Sequence, residues 1–278
     1  MSEPVTNESA APSVTGSAAS GDPTSLLSLR AITKSFGAVQ ALRHVDLEIP
    51  AGQVTALIGD NGAGKSTLIK VIAGIHEPTS GEKFWLGQKV DTHTPRAAAE
   101  LGIATVYQDL ALCDNLDIVA NMYLGCEETR RAVLDEVSME VHTRQTLRDL
   151  SVSTIQSVRQ LVGSLSGGQR QAIAVARAVM LDAKLVIMDE PTAALGVSQT
   201  ALVLDIIEQL SSRGIAVLVI SHNLTDVFRV ADRIAVLYLG RMVSNGPAAN
   251  YDTNSAVHWM TTGTGPSGRA AVPQSAEG

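Results

Sequence analysis

The residues best equipped to do chemistry lie in Gly59-Asp60-Asn61-Gly62-Ala63-Gly64-Lys65-Ser66. Glycines at 59, 62 and 64 let backbone N–H groups wrap an anion. The run also follows an apolar strand pattern, Val54–Ile58, and precedes an apolar-periodic helix, Thr67–Ala73. A helix N-terminus adds a dipole that favours negative charge, so this is a phosphate cradle in which Lys65 can reach β- and γ-phosphates and Ser66 can ligate Mg²⁺. Asp60, Asn61, Ala63 and Thr67 belong to the same cradle by position. A glycine-rich turn with an incidental lysine would have no need of this strand, loop and helix context.

Two further segments carry complementary chemistry. Leu185-Val-Ile-Met-Asp189-Glu190 is a strand pattern ending in two carboxylates, which places both acids at the carboxyl end of a sheet, where a phosphate loop also sits. Asp189 there is suited to hold Mg²⁺, usually through a water, and Glu190 to polarise an attacking water in line with the γ-phosphate. Leu165-Ser166-Gly167-Gly168-Gln169, followed by the helical pattern Arg170–Met180, makes a second anion-binding helix start. One nucleotide does not need two such cradles from one chain.

With that pentapeptide lying between the phosphate loop and the carboxylate strand, the chain resembles the ABC ATPase family, whose signature motif it matches. The resemblance covers Leu26 to Thr262. It implies an α/β fold: a P-loop NTPase (RecA-like) core with an antiparallel β subdomain and an inserted helical subdomain at about residues 109–180. It also implies ATP and Mg²⁺ as cofactors, and a head-to-tail homodimer in which Ser166, Gly167, Gly168 and Gln169 of one copy close on the nucleotide held by the other. By position, Phe36 in Lys34-Ser-Phe-Gly37 matches the aromatic that stacks on adenine, with packing in the core or a turn as its alternative. Gln108 matches the glutamine that senses Mg²⁺ and the attacking water. His222 matches the histidine that contacts the γ-phosphate and steadies the catalytic glutamate, so Glu190 and His222 are the catalytic pair and Ser66, Gln108 and Asp189 the metal set. Gly196 departs from the pattern, standing where many members place an aspartate that bridges the dimer.

The stretches Cys113–Gly125 and Ser221–Arg233 look like those of ATPases serving bacterial monosaccharide importers of the ribose, xylose and fructose kind. That narrower resemblance implies peripheral attachment at the cytoplasmic face of the plasma membrane, where residues 108–125 dock a helix of integral membrane permease subunits and a sugar-binding protein is an indirect partner. An exporter ATPase is the alternative from the same family, and a DNA- or ribosome-acting ATPase a more distant one. The latter would need long coiled-coil arms or paired domains with basic linkers, which the span between Ser66 and Ser166 lacks.

These side chains need a frame. At 278 residues and 45% hydrophobic, the chain can bury one large core with a satellite subdomain. Strand-like and helix-like patterns alternate, as in a mostly parallel sheet covered by helices. Leu27–Ser35, Val45–Ile49, Val54–Ile58 and Lys83–Leu86 read as a partly antiparallel front section. Ile103–Tyr107, Leu185–Met188, Ala216–Ile220 and Ile234–Leu239 read as buried central strands. Between Gln108 and Ser164, Leu134, Val137, Val141, Leu147 and Leu150 recur at helical spacing, which predicts the inserted subdomain. Residues 1–25 and 263–278 are too poor in large apolar groups to offset ordering entropy and read as disordered tails.

Composition narrows the function classes. The net charge of −7 comes with no run of five or more Lys/Arg, so no nucleic-acid partner is expected. No apolar run approaches the roughly 18 residues a membrane-spanning helix requires, and the first residues lack the basic and apolar blocks of a secretory signal. Cys113 and Cys126 have no metal-ligand spacing and read as free thiols.

Overall fold

The computed structural model describes residues 25–130 and 133–265. In chain order its elements begin with β1 (Ser25–Phe36), β2 (Val39–Pro50), β3 (Val54–Ile58), α1 (Lys65–Ile72), β4 (Ser80–Trp85), β5 (Gln88–Val90), α2 (Pro95–Glu100) and β6 (Ile103–Val106). Next come α3 (Ile118–Tyr123), the short antiparallel pair β7 (Thr129–Arg130) and β8 (Val133–Leu134), α4 (Glu136–Asp149) and α5 (Gly167–Met180). The chain continues with β9 (Leu185–Asp189), α6 (Val197–Ser212), β10 (Ala216–Ile220), α7 (Leu224–Val230), β11 (Arg233–Tyr238), β12 (Arg241–Pro247) and α8 (Thr253–Thr262).

Six strands form the main sheet in the order β12-β11-β3-β10-β9-β6, parallel except for the edge pair β11 and β12. β3 and β10 are buried along their whole length, β10 as a continuous apolar run and β3 with one polar residue, Thr55, as strands covered on both faces should be. One face packs against α1 and the front sheet through Leu57, Leu68, Ile72, Leu185 and Leu218. The other packs against the inserted helices through Val119, Met122, Ile173, Val186 and Ile207. Each such side chain contributes about 1.5–3 kcal/mol when fully buried, so the sheet is held from both sides. The front sheet, β2-β1-β4-β5, is antiparallel throughout. The α/β class, the antiparallel subdomain and the helical insertion all match expectation. No described helix is long and apolar enough to cross a membrane.

Several expectations need correction. Val54–Ile58, grouped with the front section, is β3 and lies between β10 and β11 in the main sheet; its turn-bounded shortness hid a central position. β2 starts at Val39 rather than Val45, because its exposed first residues carry no apolar alternation. β5, α2 and β12 went unread for the same reason, being short or largely exposed.

In the insertion, helical spacing found the packed face only in part: the expected Leu147 and Leu150 are buried, but the expected Val137 and Val141 are not. Val137 and Val141 are 75% and 55% exposed, while Met139, Thr143 and Leu147 face the core. Leu134 lies in β8, and Leu150 is the buried C-cap of α4. Two stripes fit a 3.6-residue period here, and the true one is masked by a threonine. The expected tails lie outside the described residues except for Ser25, which opens β1, and Gly263–Gly265, where Gly263 caps α8 in a left-handed conformation at φ 71°.

Candidate active site

The loop between β3 and α1 is built for close approach. Gly64, the N-cap of α1, has φ 108°, and a Cβ there would meet the Ala41 carbonyl oxygen at 2.8 Å. Any other residue would therefore be strained and would push the loop off β2. Lys65 Nζ donates to the carbonyls of Gly59 at 2.6 Å and Asp60 at 3.1 Å, so the ammonium is held across the loop. Burial lowers its pKa, and the nearby carboxylates of Glu190, Asp60 and Asp189 partly offset that. The first amides of α1 have no intrahelical acceptor and point out of the helix start toward the loop.

Beside the loop lies a cleft of about 500 Å³. Asn61, Gly62, Ala63, Gly64, Lys65, Ser66, Thr67, Gln108, Asp189 and Glu190 line it, so three segments far apart in sequence meet there. The Asp189 carboxyl is pushed above the ordinary aspartate range, first by burial and then by the Glu190 charge beside it. A hydroxyl, an amide and two crowded carboxylates form an oxygen-rich set suited to a hard divalent cation, whose charge would relieve that repulsion.

Glu190 has a left-handed backbone at φ 50°, unusual for a residue with a side chain and of the kind found at functional sites. Its amide donates to the Ile220 carbonyl at 2.9 Å, tying the end of β9 to the end of β10. His222 follows β10, and its Nδ1 lies 2.8 Å from Glu190 Oε2. The two expected catalytic residues are thus neighbours, although the long helix α6 separates their strands in sequence.

The serine-glycine motif caps α5. Ser166 Oγ accepts from the Gln169 amide and the Gln169 side chain accepts from the Ser166 amide, a reciprocal capping box. A Cβ on Gly168 would meet Gln199 Cβ at 2.9 Å, so a glycine there lets the tip of α5 sit against the start of α6. None of Ser166, Gly167, Gly168 and Gln169 lines the cleft that holds Lys65. Within one chain the two cradles stay apart.

Phe36 does not line that cleft either. Its ring meets His76 edge-on at 5.2 Å, with Lys34 Nζ 5.2 Å from its centroid, and the residue remains 46% exposed at the end of β1. Gly59 and Asp60 do not line the cleft, but their carbonyls hold Lys65. Sequence reasoning missed Val39, Gln40, Ala41, Arg43, Ile220, Leu239 and Gly240, which complete the cleft wall. Gly240, between the apolar run of β11 and β12, was the one visible hint, and its amide donates to the Ala63 carbonyl at 2.8 Å.

Gly196 is the N-cap of α6, with no side-chain cap, φ −73°, ψ 163° and open space where a Cβ would stand. An aspartate fits this geometry and would accept from the first turn of α6. We expect Gly196→Asp to raise Tm by about 1 °C, because aspartate exceeds glycine as an N-cap by a few tenths of a kcal/mol. Scanning calorimetry showing a lower Tm would mean that the glycine answers to something other than the helix end.

The ABC transporter family model matches residues 42–193, a span from β2 to just past Glu190. The chain is 47% identical over 237 residues to the xylose/arabinose import ATP-binding protein of Sulfolobus acidocaldarius, covering 85% of this chain and 94% of that protein. It is 44% identical over 243 residues to the fructose import ATP-binding protein of Rhizobium meliloti, with 85% and 94% covered. Among solved structures, the ADP conformation of an ATP-binding cassette of an ABC transporter superposes with a TM-score of 0.74 at 26% identity, covering 84% of this chain and 95% of that one. With a match across more than half its length and two relatives above two-fifths identity along almost their entire chains, this protein belongs to the ABC transporter family as one of its ATP-hydrolysing cassettes.

Proposed function

We propose that the chain powers import of a monosaccharide by binding and hydrolysing MgATP as a homodimer on integral membrane permease subunits, at the cytoplasmic face of the plasma membrane. The observation that carries the dimer is the separation of the two cradles: the Lys65 cleft and the Ser166 cap are both formed, yet neither completes the other within one chain. A head-to-tail pair brings the cap of one copy to the γ-phosphate held by the other. Phe36 then stacks on adenine, its ring being 46% exposed and bordered by His76 and Lys34.

In hydrolysis, Lys65 and the amides at the start of α1 hold the β- and γ-phosphates, and Glu190 orients the attacking water and takes its proton. His222 steadies Glu190 and faces the γ-phosphate. Ser66, Gln108 and Asp189 would hold Mg²⁺, which supplies charge neutralisation of the phosphates when bound. Sugar as cargo is supported by the two relatives named for xylose/arabinose and fructose import. The cleft is assigned to nucleotide, and sugar specificity to the permease and a sugar-binding protein.

The test is reconstitution with candidate sugar permease subunits, in vesicles loaded with ATP. Uptake of radiolabelled xylose, arabinose, fructose or ribose that depends on ATP and on a sugar-binding protein is the expected result. ATP-driven release with no uptake would assign the chain to an exporter.

A further inference from the structure

We propose that Asp226 and Thr192 form a clamp that positions Glu190 and His222, an inference that rests on the hydrolytic roles given above to those two residues. Glu190 and His222 sit on separate turns, one after β9 and one after β10. Each turn has its own local hydrogen bonds, Ala193 amide to Glu190 carbonyl in the first and Asn223 amide to Ser221 Oγ in the second, but these leave the two side chains' placement relative to each other unfixed. Glu190 keeps a left-handed backbone, and the His222 side chain is 71% exposed, with Glu190 Oε2 beside its ring.

A second tie joins the same two turns. Two residues past Glu190, Thr192 Oγ1 donates to Asp226 Oδ2 at 2.7 Å, and Asp226 stands four residues past His222 in the first turn of α7. Asp226 is only 9% exposed. A carboxylate is rarely buried unless bonded, and here its side-chain partner comes from the other catalytic turn. Favourable placement at a helix N-terminus is the competing account. It leaves Thr192 unexplained, and α7 already has a cap, because Asn223 Oδ1 accepts from the Thr225 amide at 3.1 Å.

The clamp completes a closed ring of contacts. The Glu190 amide bonds the Ile220 carbonyl, the Ala193 amide closes the turn onto the Glu190 carbonyl, Thr192 bonds Asp226, and His222 meets Glu190. Loosening one link lets the strained Glu190 backbone relax and moves its carboxylate away from the line of attack. Neither Thr192 nor Asp226 lines the cleft that holds Lys65, so both are assigned as positioning residues.

Steady-state ATP hydrolysis and thermal melting of the full chain test this, with Glu190→Gln as reference. We expect Thr192→Val, which keeps shape but loses the hydroxyl, to lower kcat about tenfold while KM for ATP stays within about twofold, since misplacing a catalytic group harms the chemical step more than binding. Thr192→Ser should restore most of the rate. Asp226→Asn should lower kcat less, by roughly threefold, because the amide still accepts a weaker hydrogen bond. The double variant should fall no further than the worse single one, as for two halves of one contact. Wild-type kcat in both single variants beside an inactive Glu190→Gln would overturn the clamp alone, as would fully additive losses or a rate loss that merely tracks a lower melting temperature. A fully active Glu190→Gln would instead overturn the roles on which the clamp rests.

Discussion

Glu190→Gln is expected to cut ATP turnover by at least about a hundredfold, the lower end of what a positioned general base supplies, while leaving nucleotide binding intact. The amide has nearly the same shape, so the contact with the His222 ring and the fold of the turn after β9 should survive. What disappears is a group able to accept the proton of the attacking water. Because ATP then binds without being consumed, the nucleotide-bound pair should accumulate and elute as a dimer in size-exclusion chromatography with MgATP. A strictly monomeric elution under those conditions would contradict a site shared between two copies.

The second large effect comes from mixing two inactive chains. Lys65→Ala removes the charge-assisted hydrogen bonds to the phosphates, worth about tenfold to hundredfold in affinity. Ser166→Arg blocks the capping tip of α5 but leaves the Lys65 cleft alone, because Ser166 does not line it. Each variant alone should lose nearly all activity. In a two-fold symmetric pair the mixed dimer regains one intact site, formed by the cleft of the Ser166→Arg chain and the cap of the Lys65→Ala chain. An equimolar mixture should therefore recover up to about a quarter of the wild-type rate if the two sites act independently. Recovery of nothing above the sum of the separate variants would mean that each chain hydrolyses ATP within itself.

The phosphate loop, the carboxylate pair and the serine-glycine cap were legible as short runs because their chemistry needs neighbours in sequence, whereas His222, a single residue, was matched only through the family resemblance. Glycines must be consecutive with the lysine to wrap one anion, and Asp189 and Glu190 must end one strand to face one cleft. The buried strands were legible too, since a strand covered on both faces has to be apolar throughout. The same local logic faltered where burial is one-sided. In α4, Val137 and Val141 advertised an apolar stripe, yet Met139, Thr143 and Leu147 are the residues that pack.

Which distant segments meet was settled only by tertiary structure. β3 proved central because β10 and β11 hydrogen-bond to it on either side, a pairing that its five residues do not encode. Val39 and Arg43 became cleft wall because the front sheet folds against the phosphate loop, and Gly240 because the turn from β11 to β12 bonds to Ala63. The bond from Thr192 to Asp226 spans 34 residues and had no local signature. Motifs record chemistry that one stretch of backbone performs, whereas walls, clamps and core faces depend on long-range packing, whose loop-closure entropy is repaid only once the whole sheet has assembled.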